Sequence, residues 1–464
     1  MTTTRIRMLV VGLAAALAAS VATAGSIAGA APSQGGARCP LDALDDADKP
    51  VEITFWHTMT RANEESLVRL TDQFNSSQSD VRVSLVNQTS YEDNLEKFRA
   101  SLGTGEPPDI IQLAETALQQ VIDSQAVLPA QACVDADDYD LSDFVPRVID
   151  YYTVEDELWS MPFNVSQPIL YYDKNVFTAA GLDPEAPPTT LDEVREYAEQ
   201  IKANAGYPYG FALKIDAFFF EQLLGKANVA YVNNGNGRSE RATEVNFDRK
   251  AGREAFTWMS DMVEDGLAVT NPRTGPNQIN NFLAIGNREA GMTIDTTAGL
   301  GTISQILGAG DYAHVDLGVA PMPGQAKGGT LVGGASLYIV NESAPAKQAA
   351  SWQYAKFLNE PEQVAQWSAD TGYVPTRESA IELPAIQTRW SEFPEFRVGY
   401  DQLLAGKNTL ATAGPVIGDY LGVREVIDDQ ETELLAGDKS PKKALDDAKR
   451  ESDQVIEDYN ARVG

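Results

Sequence analysis

Apolar and polar positions alternate with a period of two through Val51-Glu52-Ile53-Thr54-Phe55-Trp56 and again through Val81-Arg82-Val83-Ser84-Leu85-Val86. That period places successive side chains on opposite faces of an extended strand. Between the two, residues 62–74 carry Leu67, Leu70 and Phe74 at helical spacing, which predicts a helix with one apolar face. A second helix is predicted over 91–102, a short apolar strand over 109–113 and a third helix over 116–124. Strands alternating with helices predict an α/β fold, a parallel sheet with helices on both faces.

The pattern continues beyond residue 160. Ile169-Leu170-Tyr171-Tyr172 reads as a strand. Thr190 opens a helix through residue 203, with Glu193 three positions on completing a capping box. Residues 282–294 read as helix, turn and strand, punctuated by Gly286 and Gly291. Leu337-Tyr338-Ile339-Val340 predicts a strand and residues 346–358 a helix. The last helix starts at Ser440 as N-cap with Pro441 in first position, and Ala444, Ala448, Val455 and Tyr459 form its apolar stripe. At 464 residues the chain exceeds one doubly wound domain, yet no inter-domain linker interrupts it. Two lobes with the chain crossing between them more than once satisfy both facts, and that topology makes a hinge with a ligand cleft.

The N-terminus adds a compartment. Arg5 and Arg7 precede an apolar run over 8–24 that ends in Ala22-Thr23-Ala24, with Ala28-Gly29-Ala30 as a second small-residue site. This predicts a signal peptide over 1–24 and a linker over 25–48, and hence a periplasmic or extracellular protein. No later apolar run reaches the length of about 18 residues that a spanning helix needs. The two cysteines, Cys39 and Cys133, predict a disulfide in an exported chain. Lipidation at Cys39 is the alternative, and Arg38 argues against it because lipoprotein signals place a small residue there.

Charge and chemistry narrow the function. The 67 acidic residues against 36 basic ones give a net charge of −31. Such a surface repels nucleic acid, so no nucleic-acid partner is expected. His57 and His314 are the only histidines, and no zinc-protease, phosphate-loop, dinucleotide or nucleophile-elbow motif is present. A glycosidase needs only two carboxylates, so among 67 acids such pairs carry no information. The expectation is a protein that is not an enzyme and uses no cofactor or metal.

Six segments then resemble one family in order and spacing. They are Phe55-Trp56-His57-Thr58-Met59, the run from Pro162-Phe163-Asn164-Val165-Ser166 to Tyr171-Tyr172, and Ala180-Gly181-Leu182-Asp183-Pro184. Gly333-Gly334-Ala335-Ser336-Leu337, Thr371-Gly372-Tyr373-Val374-Pro375 and Gly437-Asp438-Lys439-Ser440-Pro441 complete the set. Together they resemble the extracellular solute-binding proteins of sugar-type ABC importers, and within them the glycerol-3-phosphate binders. The resemblance implies a bilobal periplasmic-binding-protein fold, two doubly wound lobes joined by a multi-crossover hinge. Lobe one would hold 49–162 and 296–341, and lobe two 163–295 and 342–464. It implies a monomer that captures a small polar solute and delivers it to a membrane permease.

Residue by residue, the resemblance places Tyr91, Glu115, Ser166, Gly334, Tyr373 and Arg424 in the binding cleft. Glu115 would take the glycerol hydroxyls, and the planar guanidinium of Arg424 would pair bidentately with phosphate. Two departures stand out. The family's two cleft tryptophans are missing, with Lys214 and Ala217 near their places and Phe218, Phe219 and Phe220 offering either a platform or core. Asp295 replaces a small neutral residue and adds a carboxylate to the cleft, which opposes a bare phosphate and suits sugar hydroxyls or a cationic head group. The expected ligand is glycerol 3-phosphate or a glycerophosphodiester. The alternative is a neutral oligosaccharide, with Trp56 stacking on a sugar ring.

Overall fold

Alternate positions of the first strand are buried at Val51, Ile53 and Phe55 while Glu52 faces solvent, so the period of two seen in the sequence is the period of burial. The computed structural model describes residues 38–102, 105–271 and 279–463. The predicted signal peptide and most of the predicted linker lie outside the described residues. In chain order the strands are β1 Val51–His57, β2 Val81–Asn87, β3 Ile110–Ala114, β4 Val127–Leu128, β5 Thr153–Val154, β6 Glu157–Leu158 and β7 Met161–Ser166. They continue with β8 Pro168–Asp173, β9 Phe211–Lys214, β10 Ala268–Asn271, β11 Met292–Thr296, β12 Leu317–Pro321 and β13 Gly333–Val340.

Two main sheets result. The first has the order β2-β1-β3-β13-β4, with β7 also paired to β13. The second has the order β10-β9-β11-β8-β12. Both are mixed rather than wholly parallel. β1 runs parallel to β2 and β3, but β13 lies antiparallel to β3, because the chain re-enters this sheet from the second one. The first sheet is buried on both faces. Phe55, Ile110, Leu337 and Ile339 face one core, and Ile111, Leu113, Tyr338 and Val340 face another. A third core packs the second sheet against the helices Ala217–Lys226, Lys250–Glu264, Tyr420–Leu435 and Pro441–Val463.

The crossings place the site. β7 belongs to the first sheet and β8 to the second, with Gln167 alone between them. The Gln167 side chain donates to the Leu331 carbonyl at 2.8 Å and accepts from Thr330, fastening this crossing to the β12–β13 crossing. The lobe boundaries differ from those the resemblance implied. Within 296–341, β12 pairs with β8 in the second sheet and only β13 joins the first. Within 342–464, helix Pro345–Leu358 packs on the first sheet, where Trp352 and Tyr354 are buried with Phe55. The apolar faces of these segments decide which lobe they join.

Local signals act as read. Thr190 Oγ1 accepts from Glu193 N–H and the Glu193 carboxylate accepts from Thr190 N–H, a complete capping box. Cys39 and Cys133 form a disulfide that ties the start of the described chain to helix Ala130–Ala136.

Candidate functional site

A cavity of about 260 Å³ opens at the carboxyl ends of strands from both sheets, the place where open α/β sheets bind ligands. Thr58 follows β1, Glu115 follows β3, Ser166 ends β7, Lys214 ends β9 and Asp295 lies in β11. Tyr91, Gly334, Tyr373 and Arg424 complete the set, so all seven residues expected in the cleft line this one cavity. A larger open groove of about 570 Å³ lies elsewhere on the surface. Of its cations, Arg195 and Lys250 are paired with Asp265 and Glu254 and Arg253 donates to the Asp248 carbonyl at 2.8 Å, and none of the seven residues reaches it.

The wall built on the first sheet is a chain of neutral hydrogen bonds. Thr58 N–H donates to Gln112 Oε1 at 2.9 Å, Gln112 Nε2 to Asn164 Oδ1 at 2.6 Å, and Asn164 Nδ2 to the Tyr91 hydroxyl at 2.8 Å. The Tyr373 hydroxyl lies beside Tyr91 and Asn164, and its ring stacks on Trp367. His57 supports this wall from below, with Nδ1 accepting from Met59 N–H at 3.3 Å. Burial lowers its pKa to about 4, against the opposing pull of Glu64. The imidazole is therefore a neutral acceptor at pH 7, not a proton shuttle. Gly334 has φ +100°, and a Cβ there would sit 1.9 Å from the Asn164 carbonyl oxygen. Only glycine lets β13 pass this close to β7.

The wall built on the second sheet is ionic. Arg424 donates from Nε to Glu221 Oε1 at 2.8 Å and from Nη2 to Glu221 Oε2 at 2.7 Å. The same Nη2 reaches across to Glu115 Oε1 at 2.8 Å. Its guanidinium lies 4.9 Å from the Tyr420 ring and 5.6 Å from that of Phe218. Desolvation works to lower the Arg424 pKa, but Glu221 and then Glu115 hold it well above its ordinary value. Burial raises the Glu221 carboxyl, and Arg424 offsets part of that rise. The bidentate fork expected for phosphate is thus filled by Glu221, which leaves Nη1 without a hydrogen bond among the described residues. Nearby, Lys214 Nζ donates to Asp295 at 3.1 Å and stands 3.7 Å from Asp216. Asp295 reaches the cavity as expected, but Lys214 and Asn281 already pair its carboxylate.

Several groups remain to receive a solute. Glu115, Ser166 and Arg424 line the cavity, and their Oε2, Oγ and Nη1 atoms have no hydrogen bond among the described residues. The buried Thr116 Oγ1 is a fourth unpartnered group in the same wall. The phenylalanine run divides: Phe218 lines the cavity, while Phe219 and Phe220 sit in the core. Ala217 is fully buried and does not line the cavity. Trp56 does not line the cavity either; it packs against the core cluster that contains Leu95, Phe98 and Ile111. Sequence reasoning missed Glu221 and Thr116. Glu221 was detectable, because a lone acid inside the apolar helix segment 217–224 requires a charged partner.

The sequence profile of the bacterial extracellular solute-binding proteins matches residues 69–395 of this chain. The chain belongs to that family. Among relatives of this solute-binding protein is the sn-glycerol-3-phosphate-binding periplasmic protein UgpB of Pectobacterium atrosepticum. It is 30% identical over 413 residues, covering 87% of this chain and 90% of the relative. UgpB of Yersinia pseudotuberculosis is 30% identical over 424 residues, with 87% and 92% covered. Among solved structures, the GacH receptor of Streptomyces glaucescens, known free and with acarbose, superposes with a TM-score of 0.73 at 21% identity, covering 88% of this chain and 99% of that one. UgpB of Mycobacterium tuberculosis in complex with glycerophosphocholine gives the same TM-score at 20% identity and the same coverage. These likenesses identify the bilobal periplasmic-binding-protein fold.

Proposed function

We propose that this solute-binding protein captures glycerol 3-phosphate or a glycerophosphodiester between its lobes and hands it to a membrane permease. The observation that carries the reading is the convergence of Glu115 Oε2, Ser166 Oγ and Arg424 Nη1 on one cavity, in a chain similar over most of its length to relatives named for glycerol 3-phosphate. A carboxylate oxygen accepts from vicinal hydroxyls, and a guanidinium N–H with a serine O–H donates to a phosphate. Charge-assisted bonds contribute about 1.5–3 kcal/mol each. Three or four of them, less the ordering terms, correspond to a dissociation constant of about 1 μM.

A second reading has its own support. The cavity is lined by Arg61, Lys214 and Arg424 against Glu92, Glu115, Asp216 and Asp295, so it carries no surplus of positive charge. A neutral oligosaccharide fits that balance, with Tyr91, Phe218, Phe282 and Tyr373 as the aromatic surfaces rather than Trp56. Titration calorimetry with glycerol 3-phosphate, maltose and trehalose separates the readings. Binding of glycerol 3-phosphate, weakened by Glu115→Gln, supports the first. Binding of a sugar alone replaces it with the second.

A further inference from the structure

The end of the Lys214 side chain occupies surroundings that have the chemistry of a cation subsite. Nζ donates to Asp295 Oδ2 at 3.1 Å and Oδ1 at 3.3 Å, and lies 3.7 Å from Asp216 Oδ2. It also sits 5.5 Å from the centroid of the Phe219 ring. Two carboxylates and an aromatic face around one ammonium are the elements by which proteins hold ammonium ligands. Both carboxylates are fixed in place. Asp295 accepts from Asn281 Nδ2 at 3.0 Å and from Thr296 N–H at 2.7 Å. Asp216 caps helix Ala217–Lys226 by accepting from Phe218 N–H at 3.2 Å.

The space behind Lys214 adds a second, independent observation. A mostly apolar chamber of about 40 Å³ is lined by Leu213, Phe219, Phe220, Trp258 and Met259, with Glu431 also in its wall. Lys214 and Asp216 belong to its wall and to the wall of the solute cavity. The lysine stem is therefore part of the partition between the two. Shortening it would open apolar volume beside two carboxylates, which suits the methyl groups of a quaternary ammonium.

We infer that Lys214 is a specificity residue, a tethered ammonium that fills the subsite for a cationic head group and so turns the protein against choline esters. This rests on the glycerol-phosphate reading above and narrows it to solutes without a cationic head. A ligand trimethylammonium group would have to displace Lys214 from Asp295 and then face its charge at close range.

The test titrates the wild type, Lys214→Ala and Lys214→Arg with glycerol 3-phosphate, glycerophosphocholine and choline chloride, after thermal unfolding has shown each variant to be folded. The wild type is expected to prefer glycerol 3-phosphate over glycerophosphocholine by about tenfold or more. Lys214→Ala is expected to shift that ratio toward the choline ester by about tenfold and to bind choline itself, while Lys214→Arg keeps the wild-type ratio. Adding Asp295→Asn to Lys214→Ala removes the gain. If Lys214→Ala does not fold, Lys214→Gln, which keeps a donor for Asp295, shifts the ratio in the same direction by less. A wild type that prefers glycerophosphocholine, or an unchanged ratio with no choline uptake in the folded variant, overturns the inference. If neither glycerol phosphate binds any of the proteins, the ligand reading fails, and choline uptake by Lys214→Ala alone still decides the role of Lys214.

Discussion

On the first sheet the cavity wall is built around a relay of uncharged groups, Thr58 to Gln112 to Asn164 to Tyr91, with Arg61 and Glu92 lining the cavity from the helices of the same side. On the second sheet it holds two cations, Arg424 against Glu221 and Glu115, and Lys214 against Asp295 and Asp216. The difference teaches what each wall can lose. A neutral relay is satisfied internally and keeps its geometry whether or not a solute is present, so changes there act first on fit. A buried cation cannot be left unpaired, so changes in the ionic wall act on stability as well as on binding. Glu115 joins the two walls, since it follows β3 of the first sheet yet accepts from Arg424 of the second lobe.

The largest expected effect breaks the ionic wall. Arg424→Ala strands the nearly inaccessible Glu221 and its neighbour Glu115, and urea unfolding should show a loss of about 3–5 kcal/mol. Adding Glu221→Gln should return part of that loss. Equal stability of Arg424→Ala and wild type would mean that the arginine is free to serve the solute alone. Arg424→Ala is therefore no clean probe of phosphate binding, and Glu115→Gln and Ser166→Ala are better ones.

The next effect tests the close approach under the neutral wall. Gly334→Ala must relieve a contact of 1.9 Å with the Asn164 carbonyl at a positive φ. The expected loss is about 3 kcal/mol by the same measurement, with weaker solute binding because Asn164 carries Tyr91. An unchanged stability would show that β7 and β13 can separate freely.

The smallest effect is a pH response confined to the neutral wall. His57 has a folded pKa lowered from 6.5 to about 4, so the unfolded chain binds the extra proton between those values. Its contribution is complete above pH 6.5 and is lost as the pH falls toward 4. Stability should drop by about 2 kcal/mol between about pH 8 and about pH 5, and His57→Gln should flatten that part of the profile. A wild-type profile that matches His57→Gln would mean that His57 is protonated in the fold.

The neutral wall was the more legible half of the site. Pro162-Phe163-Asn164-Val165-Ser166 and Gly333-Gly334 are contiguous in sequence, adjacent in the first sheet and bound by sterics that only a few residues satisfy. The ionic wall is assembled from helix Ala217–Lys226, helix Tyr420–Leu435 and strands β9 and β11, so its pairings join residues up to 309 positions apart. No local pattern marks such pairs, and the fork of Arg424 reads as vacant until Glu221 is seen to fill it. The lobe boundaries were hidden for a related reason. Period and spacing identify β12 and helix Pro345–Leu358 as elements, but only the burial of their apolar faces decides which sheet they join.

The most direct test of the account is a crystal structure of the protein grown with glycerol 3-phosphate. The account predicts the phosphate on Arg424 Nη1 and Ser166 Oγ, with a glycerol hydroxyl on Glu115 Oε2 and Lys214 still paired with Asp295. A phosphate seated instead in the outer groove near Arg195 and Lys250, with the cavity between the lobes holding none, would contradict it.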